Sequence, residues 1–380
     1  MMTRLAAGLD WIAATRSRWL VIGVVLCALL PPIFSWPELP PMPRPAQAAW
    51  TQYWHDILRL KVDDPAFDYT RYFPPESNQA KRNFRITVPL LAHATGFGMA
   101  SVPFIRFGLQ GVLLLCLLLA AERACGDRLA ALGAALAVAG TYVGSSVWMD
   151  EWGWFDNCAQ AFLLVALVPR RPVPVAAAVL AAAFTDERSL IAVPLACLFH
   201  WWTGSSRDAR WAPAVAIPAY IAARIALGLA LGLHNASAGI GTADMVRLNL
   251  RVFPLGAWSA FEGGWLLVVG ACVASSRRGK PREALLLAMA AVFPVLAAVA
   301  VTDFSRSASY AFPGVFAALA LWASLAHPGV GPGGTVQLRR WAAAAAALSL
   351  IMPNLFIMGQ TFVQSNALVH FLSGAFQGHP

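Results

Sequence analysis

The chain is 380 residues long, 58% hydrophobic and only 12% charged, with a mean hydropathy of +0.60. A soluble domain carries about twice that share of charge, so a water-soluble globular protein is excluded. The net charge of +9 falls mainly in short loops between apolar runs, the positive-inside pattern of a polytopic membrane protein, and no nucleic-acid partner is implied.

Apolar runs of about 17–22 residues, the length that crosses hydrocarbon as a helix, recur along the chain. They are continuous and Ala/Leu-rich rather than alternating, so they predict helices and exclude an outer-membrane barrel. The fold class expected is an all-α polytopic membrane protein, one transmembrane domain over 1–380. Spans are predicted at 18–36, 104–121, 129–148, 157–169, 173–185, 188–203, 212–233, 259–275, 284–301, 307–326 and 341–360, about eleven in all. The first is read as an uncleaved span, because Ala46-Gln47-Ala48 lies too far beyond the apolar run for signal-peptide cleavage. The spans at 157–169 and 173–185 are short and are expected to be tilted, broken or packed inside the bundle.

This threading gathers the basic clusters on one side. They are Arg4, Arg16 and Arg18; Arg123 and Arg128; Arg170 and Arg171; Arg207 and Arg210; Arg277, Arg278, Lys280 and Arg282; and Arg339 and Arg340. Together they hold more than half of the 28 Lys and Arg. That side is assigned to the cytoplasm, with the N-terminus inside and the C-terminus in the periplasm. The Ala-, Arg- and Pro-rich usage points to a GC-rich bacterial source, hence a bacterial inner membrane.

The first periplasmic loop, 37–103, opens on a Pro-rich turn. It continues with Trp50, Tyr53, Trp54, Ile57 and Leu58 at helical spacing, opposite Gln52, His55, Asp56, Arg59 and Lys61. This predicts an interfacial amphipathic helix, lying on the membrane or packed on the bundle. The apolar segment 86–99 would reverse every later loop if it crossed, and it holds Pro89, His93, Gly96 and Gly98. It is placed on the outer face.

The acids then collect on the periplasmic side: Asp63, Asp64, Asp68, Asp150, Glu151, Asp156, Asp186, Glu187 and Asp303, with Arg71, Lys81, Arg82, Arg85, Arg188 and Arg306. Arg224 falls inside a span and is expected to face a polar cavity. Carboxylates can serve as bases and guanidiniums can hold phosphate. The same residues also suit plainer roles. Asp186, Glu187 and Arg188 suit helix caps, Asp150 to Asp156 a solvated loop, Asp303 and Arg306 a loop salt bridge, and Arg224 a structural pair. The six cysteines show no C-x-x-C pair and read as small apolar residues. There is no Walker A, GxSxG or HExxH pattern, and the histidines do not cluster in sequence, so no metal site is assigned.

Two stretches together carry a resemblance. One is Asp68-Tyr69-Thr70-Arg71-Tyr72 followed by Arg85-Ile86-Thr87-Val88-Pro89-Leu90-Leu91-Ala92. The other is Phe184-Thr185-Asp186-Glu187-Arg188-Ser189-Leu190-Ile191 leading to Pro194-Leu195. Over roughly residues 1–200 the chain resembles bacterial integral-membrane glycosyltransferases of the GT-C superfamily. The adjacent Asp-Glu pair of several such families is absent from the first loop, where Asp63-Asp64 stands instead.

The resemblance implies transfer of a sugar from a polyprenyl-phosphate-type donor to an acceptor at the periplasmic face. It implies Asp68 as the base, with Asp150 or Glu151 as a second carboxylate. Arg85, Arg188 and Arg306 would stabilise the leaving phosphate, and Asp186, Glu187 and Arg224 would complete the substrate site. A divalent metal is compatible with so many acids but not required by their spacing. The alternative from another class is a transporter or flippase for an anionic lipid-linked substrate, with Arg224 as its contact. Sugar, acceptor and lipid length leave no trace in the sequence.

Overall fold

The computed structural model describes residues 8, 10–34, 44–74, 77, 79–149, 153–234, 243–301, 303–325, 333–352, 354–358 and 361–365. Nearly all the described elements are helical. In chain order they are α1 (Arg16–Phe34), α2 (Arg44–Asp63), α3 (Thr87–Ala94), α4 (Val102–Cys125), α5 (Arg128–Ala139), α6 (Tyr142–Met149), α7 (Asp156–Leu167), α8 (Pro172–Thr185), α9 (Val193–Trp202) and α10 (Arg207–Leu231). There follow α11 (Ala243–Arg251), α12 (Phe253–Ser259), α13 (Trp265–Arg277), α14 (Pro281–Val299), α15 (Phe304–Ala308), α16 (Pro313–Leu325) and α17 (Gly333–Ile351). One antiparallel hairpin, β1 (Asn354–Met358) with β2 (Thr361–Ser365), follows α17 and pairs Asn354 with Ser365.

Five helical stretches are long and apolar enough to cross a membrane: Arg16–Ile33, Gly98–Cys125, Arg207–Leu231, Pro281–Val299 and Phe304–Leu325. Two broken pairs raise the number to seven, α5 with α6 (bent by 53°) and α12 with Glu262–Arg277 (bent by 85°). The predicted spans at 157–169 and 173–185 correspond to α7 and α8, apolar helices of only 12 and 14 residues.

Burial sorts the helices by position. Along α16 most side chains are enclosed, as expected of the central helix in a bundle. By contrast α10 exposes Trp211, Val215, Ile221, Ile225 and Leu229, and α14 exposes Leu285, Met289, Phe293 and Leu296. Apolar faces of that extent suit hydrocarbon as the surrounding medium. Helix α17 lies against α5 through small residues. A Cβ on Gly133 would come within 2.8 Å of the Ala342 carbonyl carbon, and one on Gly140 within 3.0 Å of Ser349. Close backbone approach of this kind is how helices associate where no hydrophobic drive separates them from solvent.

The helices run between two chemically different ends. At one end Arg123, near the C-terminus of α4, donates to the carbonyls of Leu167 and Pro169 and to Ser205 Oγ. That joins the end of α7 to the turn between α9 and α10. Arg16 and Arg128 share Glu122, Arg339 pairs with Asp127, and Arg278 reaches the Leu325 carbonyl. These contacts lie at or within two turns of helix ends on the side that the sequence assigned to the basic loops. Asp156, Asp186, Asp303 and His234 mark the opposite ends of the same helices.

Helix α2 departs from the sequence expectation at one residue, Lys61. In α2, Trp54, Ile57 and Leu58 are buried, but Trp50 and Tyr53 are 44% and 38% exposed. The apolar stripe therefore packs on protein along only part of its length. Lys61, placed on the polar face, is instead buried, with its ammonium donating to the Phe67 carbonyl at 2.6 Å. The chain folds back at Asp64, whose carboxylate accepts from Ala66 N–H, and this covers the lysine. Within the segment 86–99 lies the two-turn helix α3, anchored to α2 by His93 Nδ1 and the Val62 carbonyl 2.9 Å apart, and its last residues, from Gly98, open the stretch that runs into α4. All six cysteines are free.

Candidate functional site

At the end remote from the basic loops, seven charged side chains form one chain of alternating sign. Glu187 takes Arg85 in a two-point contact (Nε 3.1 Å and Nη2 2.9 Å). Arg85 also lies 3.4 Å from Asp186. Asp186 holds the Arg188 guanidinium through both carboxylate oxygens and accepts its backbone N–H at 3.0 Å. Arg188 Nη2 continues to Asp156 at 2.8 Å, Arg306 Nε meets the other Asp156 oxygen at 2.6 Å, and Arg306 Nη1 ends on Asp303 at 2.7 Å. Tyr142 donates to Asp156 at 2.7 Å, and Trp154 lies face-on to the Arg306 guanidinium at 3.7 Å.

Local sequence dictates why these groups converge. Helix α8 stops at Thr185 because Asp186 is extended and caps the following 3₁₀ turn, aiming its carboxylate back at Arg188. Helix α7 begins directly at Asp156, preceded by Phe155 in the left-handed region at φ 61°. Asp156 thus sits at the positive end of a helix, where a carboxylate is favoured. Asp156 and Asp186 are fully enclosed and Arg306 nearly so, while the chain emerges at Glu187 and Asp303. Fully paired charges of this kind hold a structure in register. Each guanidinium is occupied by carboxylate.

Asp68 forms a second centre. It caps the turn Tyr69–Arg71, and its Oδ1 accepts from Thr70 N–H, Thr70 Oγ1 and Asn83 Nδ2. Its Oδ2 faces His234 Nδ1 at 2.5 Å, with Arg71 Nε at 3.6 Å. Burial pushes the carboxyl up, but the hydrogen bonds from His234, Asn83 and Thr70 outweigh it and hold Asp68 well below the usual carboxylate range. Asp68 is closed to solvent, whereas His234 and Arg71 side chains are 67% and 62% exposed. Orienting an imidazole through one nitrogen leaves the other free to act.

Residues 83–85 join the two centres. Asn83 bonds Asp68 and the His234 carbonyl, and Arg85 bonds Glu187. Between them, the Phe84 ring lies 4.3 Å from the Arg224 guanidinium, which also donates to Tyr220 at 2.7 Å. Thus Asp68, Arg85, Asp186, Glu187, Arg188, Arg224 and Arg306 are all brought to one end of the bundle. Asp150 and Glu151 lie outside the described residues. Asn83 and His234 were not singled out from the sequence, whereas Asp156 and Asp303 stand among its outer-face acids, and Asp303 pairs with Arg306 as a loop salt bridge. Asp156, read as the end of a solvated loop, is instead fully enclosed because it pairs with Arg188 and Arg306. His234 and Asn83 carry no local signal, since only folding brings them to Asp68.

Among the described residues no group of three His, Cys, Asp or Glu comes together to hold a metal. Comparison with protein-family models, with curated proteins and with solved structures finds no match to this chain.

Proposed function

We propose that the protein is a GT-C-type membrane glycosyltransferase that moves a sugar from a polyprenyl-phosphate-type donor to an acceptor hydroxyl at the periplasmic face of a bacterial inner membrane. The observation that carries this reading is the Asp68–His234 pair. A buried carboxylate fixes one imidazole nitrogen while the ring faces solvent beside an exposed arginine. Supporting it, helices alternate in direction between the basic end and the site end. In this reading the broken pairs, the short helices α7, α8 and α9, and α17 complete eleven passes, with the N-terminus cytoplasmic and the first loop periplasmic.

His234 Nε2 accepts the acceptor's hydroxyl proton as the hydroxyl oxygen bonds to the anomeric carbon. The carbon–oxygen bond to the lipid phosphate breaks, and the phosphate leaves with the electron pair. Asp68 orients the imidazole and stabilises its cationic form. Arg71, 3.6 Å from Asp68 and 62% exposed, is open to a phosphate there. The buried chain from Arg85 to Asp303 holds the floor of the site rigid. The lipid tail lies along the apolar outer face of α10, whose C-terminal end leads to His234.

The test is transfer of label from a radiolabelled polyprenyl-phosphate sugar by the purified protein in lipid. Transfer that disappears in His234→Ala supports the reading. Hydrolysis-free binding with no transfer to any hydroxyl acceptor, in a preparation that binds donor stoichiometrically, would remove it.

A further inference from the structure

The broken span between α12 and α13 holds an acid that the chemistry at Asp68 leaves unused. Glu262 opens the turn Glu262–Gly264 at the 85° bend. Its side chain is 1% exposed, and its Oε2 is sealed from solvent with no hydrogen-bond partner. The indole N–H of Trp258, one turn earlier, is likewise buried and unpartnered. The Glu262 backbone is left-handed, at φ 45°. Among the described residues only Phe155 and Glu262 adopt such a φ without being glycine, and Phe155 directly precedes Asp156 of the charge chain. Strain of this sort persists only where the surroundings enforce it and gathers at functional positions.

The surroundings do enforce it. Gly263 N–H donates to Ser349 Oγ of α17 at 3.0 Å, and a Cβ on Gly263 would come within 2.1 Å of the Ala345 carbonyl. The break is clamped against α17 and is not a loose loop.

Among the described residues no cation pairs with this carboxyl. The elements packed on the turn are α5, α13 and α17. Their charges are Arg128, Arg277, Arg339 and Arg340, all at the far, basic end, where Arg128 pairs with Glu122 and Arg339 with Asp127. Helices α12 and α16 have none. A lone ionised carboxylate enclosed by apolar groups is far costlier than the neutral acid, so the group keeps its proton. A divalent ion would need more ligands than one carboxylate, and no such cluster occurs among the described residues.

We propose that Glu262 is a proton-binding site inside the bundle. It is loaded while the break is clamped on α17 and discharges to water when α12 and α13 realign. The proton is the only ligand, and its release leaves a carboxylate that requires the opened, hydrated form. The site therefore couples proton occupancy to the geometry of this span, independently of the sugar-transfer reading.

The experiment uses the full chain in lipid nanodiscs at pH 8, where exposed carboxyls are ionised. Infrared spectra are expected to show a protonated-carboxyl C=O band that is absent in Glu262→Gln. A hydrophobic carbodiimide, which reacts with protonated acids, is expected to modify Glu262 at least tenfold more than any other acid, as located by mass spectrometry. Since labelling is read on the native chain, the result does not depend on the variant folding. Only carboxylate bands, together with an unmodified Glu262, would overturn the proposal. Labelling blocked by sodium at constant pH would also overturn it, in favour of a monovalent-cation site.

Discussion

Asn83 and Arg85 stand two residues apart and hold different centres: Asn83 Nδ2 donates to Asp68, and Arg85 grips Glu187 through two nitrogens. One short segment therefore ties the carboxylate that orients His234 to the buried charge chain. Any shift of residues 83–85 moves both together.

For the transfer reaction, His234→Ala is expected to lower kcat by about 10²- to 10⁴-fold, the usual contribution of a positioned proton acceptor, with a smaller change in KM. Asp68→Asn is expected to lower kcat as well, because an amide can present its NH₂ to the ring and disfavour the oriented tautomer. Steady-state kinetics on both variants check this. Full activity in His234→Ala would return the base role to Asp68 itself.

Within the charge chain, Asp156→Asn is expected to destabilise the protein by about 3–5 kcal/mol, because it leaves Arg188 and Arg306 enclosed without their shared carboxylate. Asp303→Asn should cost much less, since Asp303 is partly exposed and Arg306 keeps Asp156. Thermal unfolding in detergent, monitored by tryptophan fluorescence, distinguishes the two. Equal losses would mean that the pairs do not act as a chain.

Lys61 gives a pH signature. Burial lowers its ammonium from 10.5 to about 8, against the opposing pull of Asp68 and Asp64. Between those values the unfolded chain keeps the proton and the folded chain has lost it, so stability rises with pH across this window. The whole rise is on the order of 3 kcal/mol. Below about 8 both states carry the proton and the slope vanishes. Unfolding midpoints from pH 7 to 10.5 should show the rise in the native protein and lack it in Lys61→Met. Parallel curves would show that Lys61 stays hydrated.

Sidedness can be read directly. Single cysteines in a background lacking the native six, at Tyr72 and Gly279, both exposed, are expected to react with impermeant maleimide from opposite faces of sealed cells and inverted vesicles. Labelling of both from one face would break the proposed threading and the transfer reading with it.

The sequence revealed the helical, membrane-compatible character because hydropathy and basic loops are local signals. It also singled out Asp68, Arg85, Asp186, Glu187 and Arg188, whose neighbours in sequence are turn-forming or interfacial, and the fold brings them to one end of the bundle. It offered the local Asp303–Arg306 bridge but not the pairing of Arg306 with Asp156, which spans 150 residues. It missed His234, whose partner is 166 residues away. Lys61 escaped for the opposite reason: helical periodicity put it on a wet face, and a tight fold-back at Asp64 covered it.

The lengths of α7 and α8, 12 and 14 residues, amount to only about 18 and 21 Å of rise, against roughly 30 Å of hydrocarbon. Around such truncated staves a bilayer must pinch inward or let water sink to meet them. Asp156 and Asp186, at the tips of these helices, would then lie at the bottom of a crater rather than level with the headgroups. A lipid diffusing past would find its polar end drawn downward there, and thicker membranes should resist that dimple more strongly than thin ones.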